Sequence, residues 1–368
     1  MTWLLLAIAF AALCYQLLAV VAALSHRLAK KAPRPDAQPA ISILKPIRGS
    51  DPGFPEAIRS HALQQYPEFE ILFGIQDPAD PARAHIERLI AEFPAVPIRL
   101  VICSTQAPNG KVGTLSDLAR EARHPILFVN DSDITVPPGY LADVAAPLAD
   151  PNVGLVTCLY RAEAFDWPSR FEALAVATEF APSTMVAPLF GVSEFGLGST
   201  LAFRRADLDA IGGFEAIADY LADDYQLGRK IHSLGRHNVL SDVVVSTRIA
   251  AANWGAAWRH QLRWARTIRL SRPGGYFGLP VTFATLWVVA AAAAGLWWTA
   301  LALLAARFAM AIAAGWFVLR SADVLKYLLL VPIRDLWGAA VWFTALFGST
   351  VEWRGLRLQL DRSGRIRR

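Results

Sequence analysis

The sequence predicts an α/β protein, a mostly parallel sheet covered by helices, tied to a membrane by apolar segments at both ends. Three observations carry this expectation. Trp3 to Ser25 reads WLLLAIAFAALCYQLLAVVAALS with no charge, enough to cross a hydrocarbon core that needs about 20 residues. The middle of the chain alternates short apolar runs with helix-like stretches, the rhythm of βαβα units. Residues 281–350 then turn apolar again. Composition agrees, with 54% apolar and 18% charged residues against roughly 45–50% and about 25% in soluble domains.

The N-terminal run reads as an anchor, residues 1–26. A cleaved signal peptide is the alternative, but no Lys or Arg precedes the run, and it is longer than a typical h-region. Arg27, Lys30, Lys31 and Arg34 follow at once, which places the downstream side in the cytoplasm. Residues 38–273 are therefore expected as a cytosolic domain, 280–350 as C-terminal transmembrane or interfacial helices, and 351–368 as a basic tail. Val281 to Ala306 is uncharged and reads as one span, whereas Phe308 to Leu319 is too short alone. Leu328 to Thr350 is apolar but carries Arg334 and Asp335, costly in lipid and so expected at an interface or facing protein. Two or three C-terminal spans fit, and six Arg against one Asp after Glu352 favour a cytoplasmic C-terminus.

Cys14, Cys103 and Cys158 form no CxxC or Cys/His cluster, so they are expected to be buried apolar fillers rather than zinc ligands or a disulfide framework. The net charge of +5 fits contact with anionic headgroups. No stretch interleaves aromatic and basic residues as a nucleic-acid surface would, so no nucleic-acid partner is expected.

Within the cytosolic domain, Ile41 to Leu44, Phe69 to Ile75, Ile98 to Cys103 and Pro125 to Asn130 read as strands. Phe54 to Gln64, Ala82 to Phe93 and Val112 to Ala122 read as the helices between them. In such sheets ligands bind beyond the carboxyl ends of the strands. The polar clusters lie there: Lys45-Pro46-Ile47-Arg48-Gly49, Gln76-Asp77-Pro78, Asn109-Gly110-Lys111 and Asp131-Ser132-Asp133. They make a site for a charged ligand. VNDSDI sets two carboxylates just past an apolar strand, where they can hold Mg²⁺ or Mn²⁺ that bridges the phosphates of a nucleotide-sugar.

Each cluster also has a plain reading. Asp77 is an acceptor for nucleobase or ribose, or a turn residue of its Asp-Pro. Lys111 reaches a pyrophosphate as a point charge, or is an exposed lysine beside a Gly turn. In LADDY, Asp223 and Asp224 answer a helix dipole, or one of them serves as a general base lifted by burial and a like charge. The stretch Trp258 to Thr267, WRHQLRWART, is an interfacial anchor, a cationic and aromatic lid, or both. Trp167 to Val192 is an amphipathic segment lying on the membrane, over which a lipid could enter, or an ordinary core helix.

In the order KPIRG, QDPADPA, NGK, DSD, GST, ADDY and HQLRW, the chain resembles the ceramide glucosyltransferase family, glycosyltransferase family 2/21. Within it the match is with bacterial hopanoid biosynthesis glycosyltransferases, where stretches like GLVTCLYR and LRWARTIR occur. The resemblance implies a GT-A fold, a Rossmann-like nucleotide-binding half joined to an acceptor half, with one N-terminal and two to three C-terminal transmembrane helices. It implies that Asp77 binds the nucleotide, with Pro46 and Lys111 on the donor side. Asp133 would bind the divalent metal with Asp131, which also faces the donor, and Asp224 would be the catalytic base with Asp223 in support. Arg263 and Trp264 would form the closing pair over diphosphate and acceptor. The family pattern has Gln or Arg three residues before that pair. Here His260 stands there and Gln261 comes one place late; both are expected near the acceptor, and the departure points to the hopanoid branch.

The implied enzyme is an inverting hexosyltransferase of the bacterial inner membrane, its catalytic domain facing the cytoplasm. It would move N-acetylglucosamine from a UDP-sugar donor to a lipid acceptor such as bacteriohopanetetrol. Glucose transfer to ceramide is the alternative. A processive polysaccharide synthase would need more spans and a full QxxRW, and a non-catalytic scaffold would have no use for three separated acidic clusters.

Overall fold

The computed structural model describes residues 2–35, 37–251, 253–353 and 356–367. Two compact units form: Lys30–Tyr160 with Val192–Arg248, and Met1–Ala29 with Arg161–Gly191 and Ile249–Arg367.

The first unit is built on strands β1 (Ile41–Pro46), β2 (Phe69–Ile75), β3 (Ile98–Ile102), β4 (Ile126–Val129), β5 (Ile134–Thr135), β6 (Val153–Ala164), β7 (Leu201–Arg204) and β8 (His237–Ile249), in sheet order β3-β2-β1-β4-β7-β6-β8-β5. Strands β3, β2, β1 and β4 run parallel, and β7 turns antiparallel to β4. The helices Phe54–Ala62, Arg83–Glu92 and Gly110–Glu121 are the crossovers, each within two residues of its expected ends. Because helices cover both faces, the strands are buried on both. Ile41, Ile43, Phe73 and Phe128 pack on one side, and Leu44, Leu72, Leu127 and Val129 on the other. Crossover packing is close enough that a Cβ on Gly74 would lie 2.6 Å from Thr114 Cγ2.

The chain leaves β1 toward β2 and β3, then returns to β4 on the opposite side of β1. That reversal opens a crevice at the carboxyl ends of β1 and β4, where Asp131-Ser132-Asp133 follows.

The second unit is helical. Its N-terminal helix, Thr2–Leu28, packs on the helices Trp297–Ala311 and Ala181–Val186. Among the described residues, four helices are long and apolar enough to cross a membrane: Trp3–Leu28, Trp167–Phe190, Trp297–Val318 and Leu328–Ala345, with Pro273–Thr282 and Ala284–Ala293 forming a bent pair.

Two sequence expectations are corrected here, and one open alternative is decided. Val281 to Ala306 is not one span. Its helix ends at Ala293, where Gly295 takes φ +76°. Leu296 N–H there donates to Ala291 C=O at 2.9 Å and Gly295 N–H to Ala292 C=O at 3.0 Å, a Schellman end that glycine makes cheap. The next helix begins at Trp297 and absorbs the Phe308 stretch, which gains the length it lacked alone. Second, Trp167 to Phe190 is one continuous helical run with a π turn over Val176–Phe180, and Phe171 through Thr178 are all buried. Of the two readings left open for this stretch, that burial favours a core helix of its unit. Third, Cys14 is exposed on the N-terminal helix while Cys103 and Cys158 are buried.

Arg334 and Asp335 face protein, as their cost in lipid requires: they are 3% and 0% exposed. Of the basic tail, Arg354, Gly355 and Arg368 lie outside the described residues. The rest forms antiparallel strands Thr350–Trp353, Leu356–Leu360 and Ile366–Arg367.

Candidate active site

Three loops of the sheet unit meet at Lys111. Its Nζ lies 2.7 Å from Asp131 Oδ1 and 3.0 Å from Asp223 Oδ2, so NGK, DSD and ADDY come together. Asn109 sets the lysine's position. Its side chain caps the Gly110–Glu121 helix by accepting from Lys111 N–H at 3.1 Å, the ordinary role of Asn at that position. Its Nδ2 donates to Tyr220 C=O at 2.8 Å, tying the helix start to the turn before Asp223. Burial works against the ammonium, but Asp131, Asp223 and Asp224 outweigh it and hold Lys111 charged well above the usual lysine range.

Asp223 and Asp224 open the Asp223–His232 helix, where the dipole favours carboxylates. Asp224 Oδ2 accepts from Gly198 N–H at 2.9 Å and Oδ1 from Tyr225 N–H at 2.7 Å. Burial, then repulsion from Asp223, lift its carboxyl to about 6 against the pull of Lys111.

Gly198 couples that carboxylate to the DSD loop, since its C=O accepts from Asp131 N–H at 3.1 Å. The surrounding turn is pinned by Thr157 Oγ1 donating to Thr200 C=O at 2.7 Å and by Ser199 Oγ donating to Cys158 C=O at 2.7 Å. A Cβ on Gly198 would stand 2.6 Å from Asp131 Oδ2, so only glycine lets the carboxylate lie there. Gly198→Ala is expected to fold, because the obstructed group is the tip of a flexible side chain, and to bind donor at least tenfold more weakly; calorimetric titration with a nucleotide-sugar checks this against thermal melting.

Lys45, wholly buried, reaches under the DSD loop and donates from Nζ to Asp131 C=O at 3.0 Å. Burial pushes its ammonium down to about 7 against the attraction of Asp133 and Asp131. Asp133 donates nothing and accepts from Thr247 Oγ1; burial, then repulsion from Asp131, raise its carboxyl above the usual range. Two hard oxygen ligands held close at such like-charge cost suit a divalent cation. Among the described residues no three His, Cys, Asp or Glu side chains converge as a cage. The pair Asp131 and Asp133 nevertheless fits Mg²⁺ or Mn²⁺, because such ions commonly take one or two carboxylates and complete their shell with water and substrate phosphates.

Pro46 ends β1, and the loop beyond it is fixed by Gly49 N–H donating to Asp80 Oδ2 at 2.8 Å. Asp77, just past β2, is exposed and accepts from Ala79 N–H at 2.8 Å. This is the turn it was also read to make, with a second carboxylate oxygen left over. His260, Gln261, Arg263 and Trp264 belong to the helical unit, on the helix Trp254–Ser271. There His260 Nδ1 meets Glu172 Oε1 at 2.5 Å and its ring lies 4.7 Å from that of Trp264.

The sequence signature of glycosyl transferase family 21 matches residues 2–366. The chain belongs to glycosyl transferase family 21. Two curated relatives are ceramide glucosyltransferases 1 and 3 of Caenorhabditis elegans, 28% identical over 57% of this chain and 29% identical over 59%. The matches cover 46% and 48% of those proteins, so the chain spans about half the length of the curated relatives it matches. A mannosyltransferase from Pyrobaculum calidifontis, solved with GDP-Man and Mn²⁺, superposes with TM-score 0.56 at 23% identity over 90% of this chain and 99% of that one. That likeness establishes the GT-A glycosyltransferase fold of this family 21 member.

Three residues of the site had no role assigned from sequence: Asn109, Gly198 and Lys45. Asn before Gly-Lys at a helix start is a capping signal and could have been used. Lys45 and Gly198 lie in clusters the sequence marks, KPIRG and GST, but their individual contacts, with Asp131 and Asp224, come from segments distant in the chain.

Proposed function

We propose that this family 21 chain is an inverting transferase that moves N-acetylglucosamine from its UDP donor to a hydroxyl of a membrane lipid, a polyhydroxylated hopanoid such as bacteriohopanetetrol. It would act at the cytoplasmic face of a bacterial inner membrane. The observation that carries this reading is Asp224, a carboxylate oriented by two backbone N–H groups and raised to about 6, beside a lysine that faces Asp131. A base of that strength near neutral pH both accepts and releases a proton readily.

In the proposed step Asp224 takes the proton of the acceptor hydroxyl while the hydroxyl oxygen attacks the sugar's C1. The bond from C1 to the β-phosphate oxygen breaks, and UDP leaves with both electrons. Asp131 and Asp133 would hold the divalent cation, which supplies positive charge against the departing diphosphate. Lys111 adds a fixed charge on the same side, and Asp77 receives the nucleoside. Lys45 keeps the Asp131 backbone in place. Asp133→Ala should weaken metal-dependent donor binding by tenfold or more in calorimetric titration, and unchanged affinity would remove it from the metal role.

Glucose transfer to ceramide is the second reading, favoured by the likeness to ceramide glucosyltransferases. Purified protein with Mg²⁺ or Mn²⁺ would be offered UDP-N-acetylglucosamine or UDP-glucose against bacteriohopanetetrol or ceramide, with products read by mass spectrometry. N-acetylglucosaminyl hopanoid is the expected product. Glucosylated ceramide would select the second reading, and no lipid product would overturn both.

A further inference from the structure

Consecutive residues of the helix Val331–Ala345 enter two polar networks of the helical unit, and the two differ in kind. Asp335 accepts from Arg307 Nη2 at 2.6 Å and from Thr285 Oγ1 at 2.7 Å, and Arg307 Nη1 donates to Thr178 C=O at 3.0 Å. Every polar atom there has a partner, as a structural brace between apolar helices demands. Arg334 is different. Its Nη2 donates to Glu179 Oε2 at 3.2 Å and to Gln261 Oε1 at 3.0 Å, while its Nε and Nη1 are buried without partners.

The neighbours share this surplus. Gln261, 6% exposed, accepts through Oε1 from Trp337 Nε1 at 2.9 Å as well, which leaves Nε2 buried and unpaired. Glu179 Oε1 is also buried and unpaired. Buried groups in this condition carry a desolvation cost that no hydrogen bond offsets, and a cluster of donors beside an acceptor is matched by a ligand carrying hydroxyls, which both donate and accept. Glu179 faces the guanidinium at 3.2 Å, so a phosphate entering the cluster would meet a carboxyl group as well as a cation, and a neutral head suits it better. Phe171, stacked under the Arg334 guanidinium at 5.5 Å, and Trp254 and Trp258, each in ring contact with Trp337, supply apolar walls. Gly338 lets its helix pack closely on the cluster: a Cβ there would lie 3.2 Å from Glu179 Oε2 and 3.4 Å from Arg334 Nη1 and would press on both groups.

We propose that Arg334, Gln261 and Glu179 recognise the neutral, hydroxylated head of a lipid, a reading that rests on the lipid-acceptor function above and names the residues that select its acceptor. The test uses the full-length protein in detergent without UDP-sugar, following tryptophan fluorescence during titration with bacteriohopanetetrol, ceramide, the hydroxyl-free hopanoid hydrocarbon diploptene and phosphatidylglycerol. Saturable binding of a hydroxylated lipid, at least tenfold tighter than diploptene or phosphatidylglycerol, is expected. Gln261→Glu, which keeps the accepting oxygen and removes the donor, and Gly338→Ala should each raise the KM for that lipid at least tenfold with kcat and donor KM unchanged. Preference for phosphatidylglycerol, equal binding of diploptene, or unchanged lipid KM in both folded variants overturns the site while leaving transfer intact. Selective binding without any transfer would uphold the site and defeat the proposed function.

Discussion

Asp224→Asn should remain folded and bind UDP-sugar while transfer falls by about 10²–10⁴-fold, the usual share of a positioned proton acceptor. The amide keeps the size of the carboxylate, but only one of its two atoms can accept a hydrogen bond. Either Gly198 or Tyr225 N–H therefore loses its partner, at a cost on the order of 1–3 kcal/mol. Donor titration and single-turnover transfer separate the two effects. The wild-type pH profile carries the same information. The carboxyl sits at about 6 and only its ionised form accepts a proton, so kcat/KM should climb about tenfold per pH unit below that value and level off above it. Residual turnover by Asp224→Asn should lack this limb, and a variant that keeps normal turnover removes Asp224 from the base role.

Lys111→Met should have the second-largest effect, on stability and donor binding together. The lysine stands between Asp131 and Asp223 with its side chain 15% exposed, and it offsets the charge of Asp224 as well. Removing one partner of such a buried cluster leaves carboxylates without compensation, a loss on the order of 3 kcal/mol. Thermal melting should fall, and donor affinity should fall with it even at saturating metal. Unchanged melting and affinity would reduce Lys111 to the exposed lysine that its sequence context also allowed. A fall in melting with intact donor affinity would make it structural alone.

Much of the sheet unit could be read before any coordinates because its signals are local. Strands buried on both faces are continuous apolar runs, and Phe69 to Ile75 needed no adjustment. The chemistry also sits where a parallel sheet must put it, at the strand ends, so VNDSDI could be assigned by position. The membrane end was harder. In AAAAGLWW the run stays apolar throughout, and hydropathy is blind to a helix end made by a single left-handed glycine. Gly295 there was the available sign. The Trp167 stretch stayed undecided between two readings, since Arg170, Glu172 and Glu179 imitate a polar face. Glu179 instead turns inward to Arg334, a pairing separated by 155 residues and invisible to any window. The same limit hid the individual roles of Lys45 and Gly198, which come from contacts with Asp131 and Asp224, far away in the chain.

The central claim, inverting transfer to a lipid hydroxyl, is tested most directly by the anomeric configuration of the isolated product. The α-configured UDP-sugar and a hydroxylated lipid would be incubated with the purified protein, and the sugar's H1–H2 coupling read by proton NMR. One displacement assisted by Asp224 predicts a β-linked glycolipid with the large coupling of two axial protons. An α-linked product would require a second displacement or front-side attack and would contradict the assignment of a single general base.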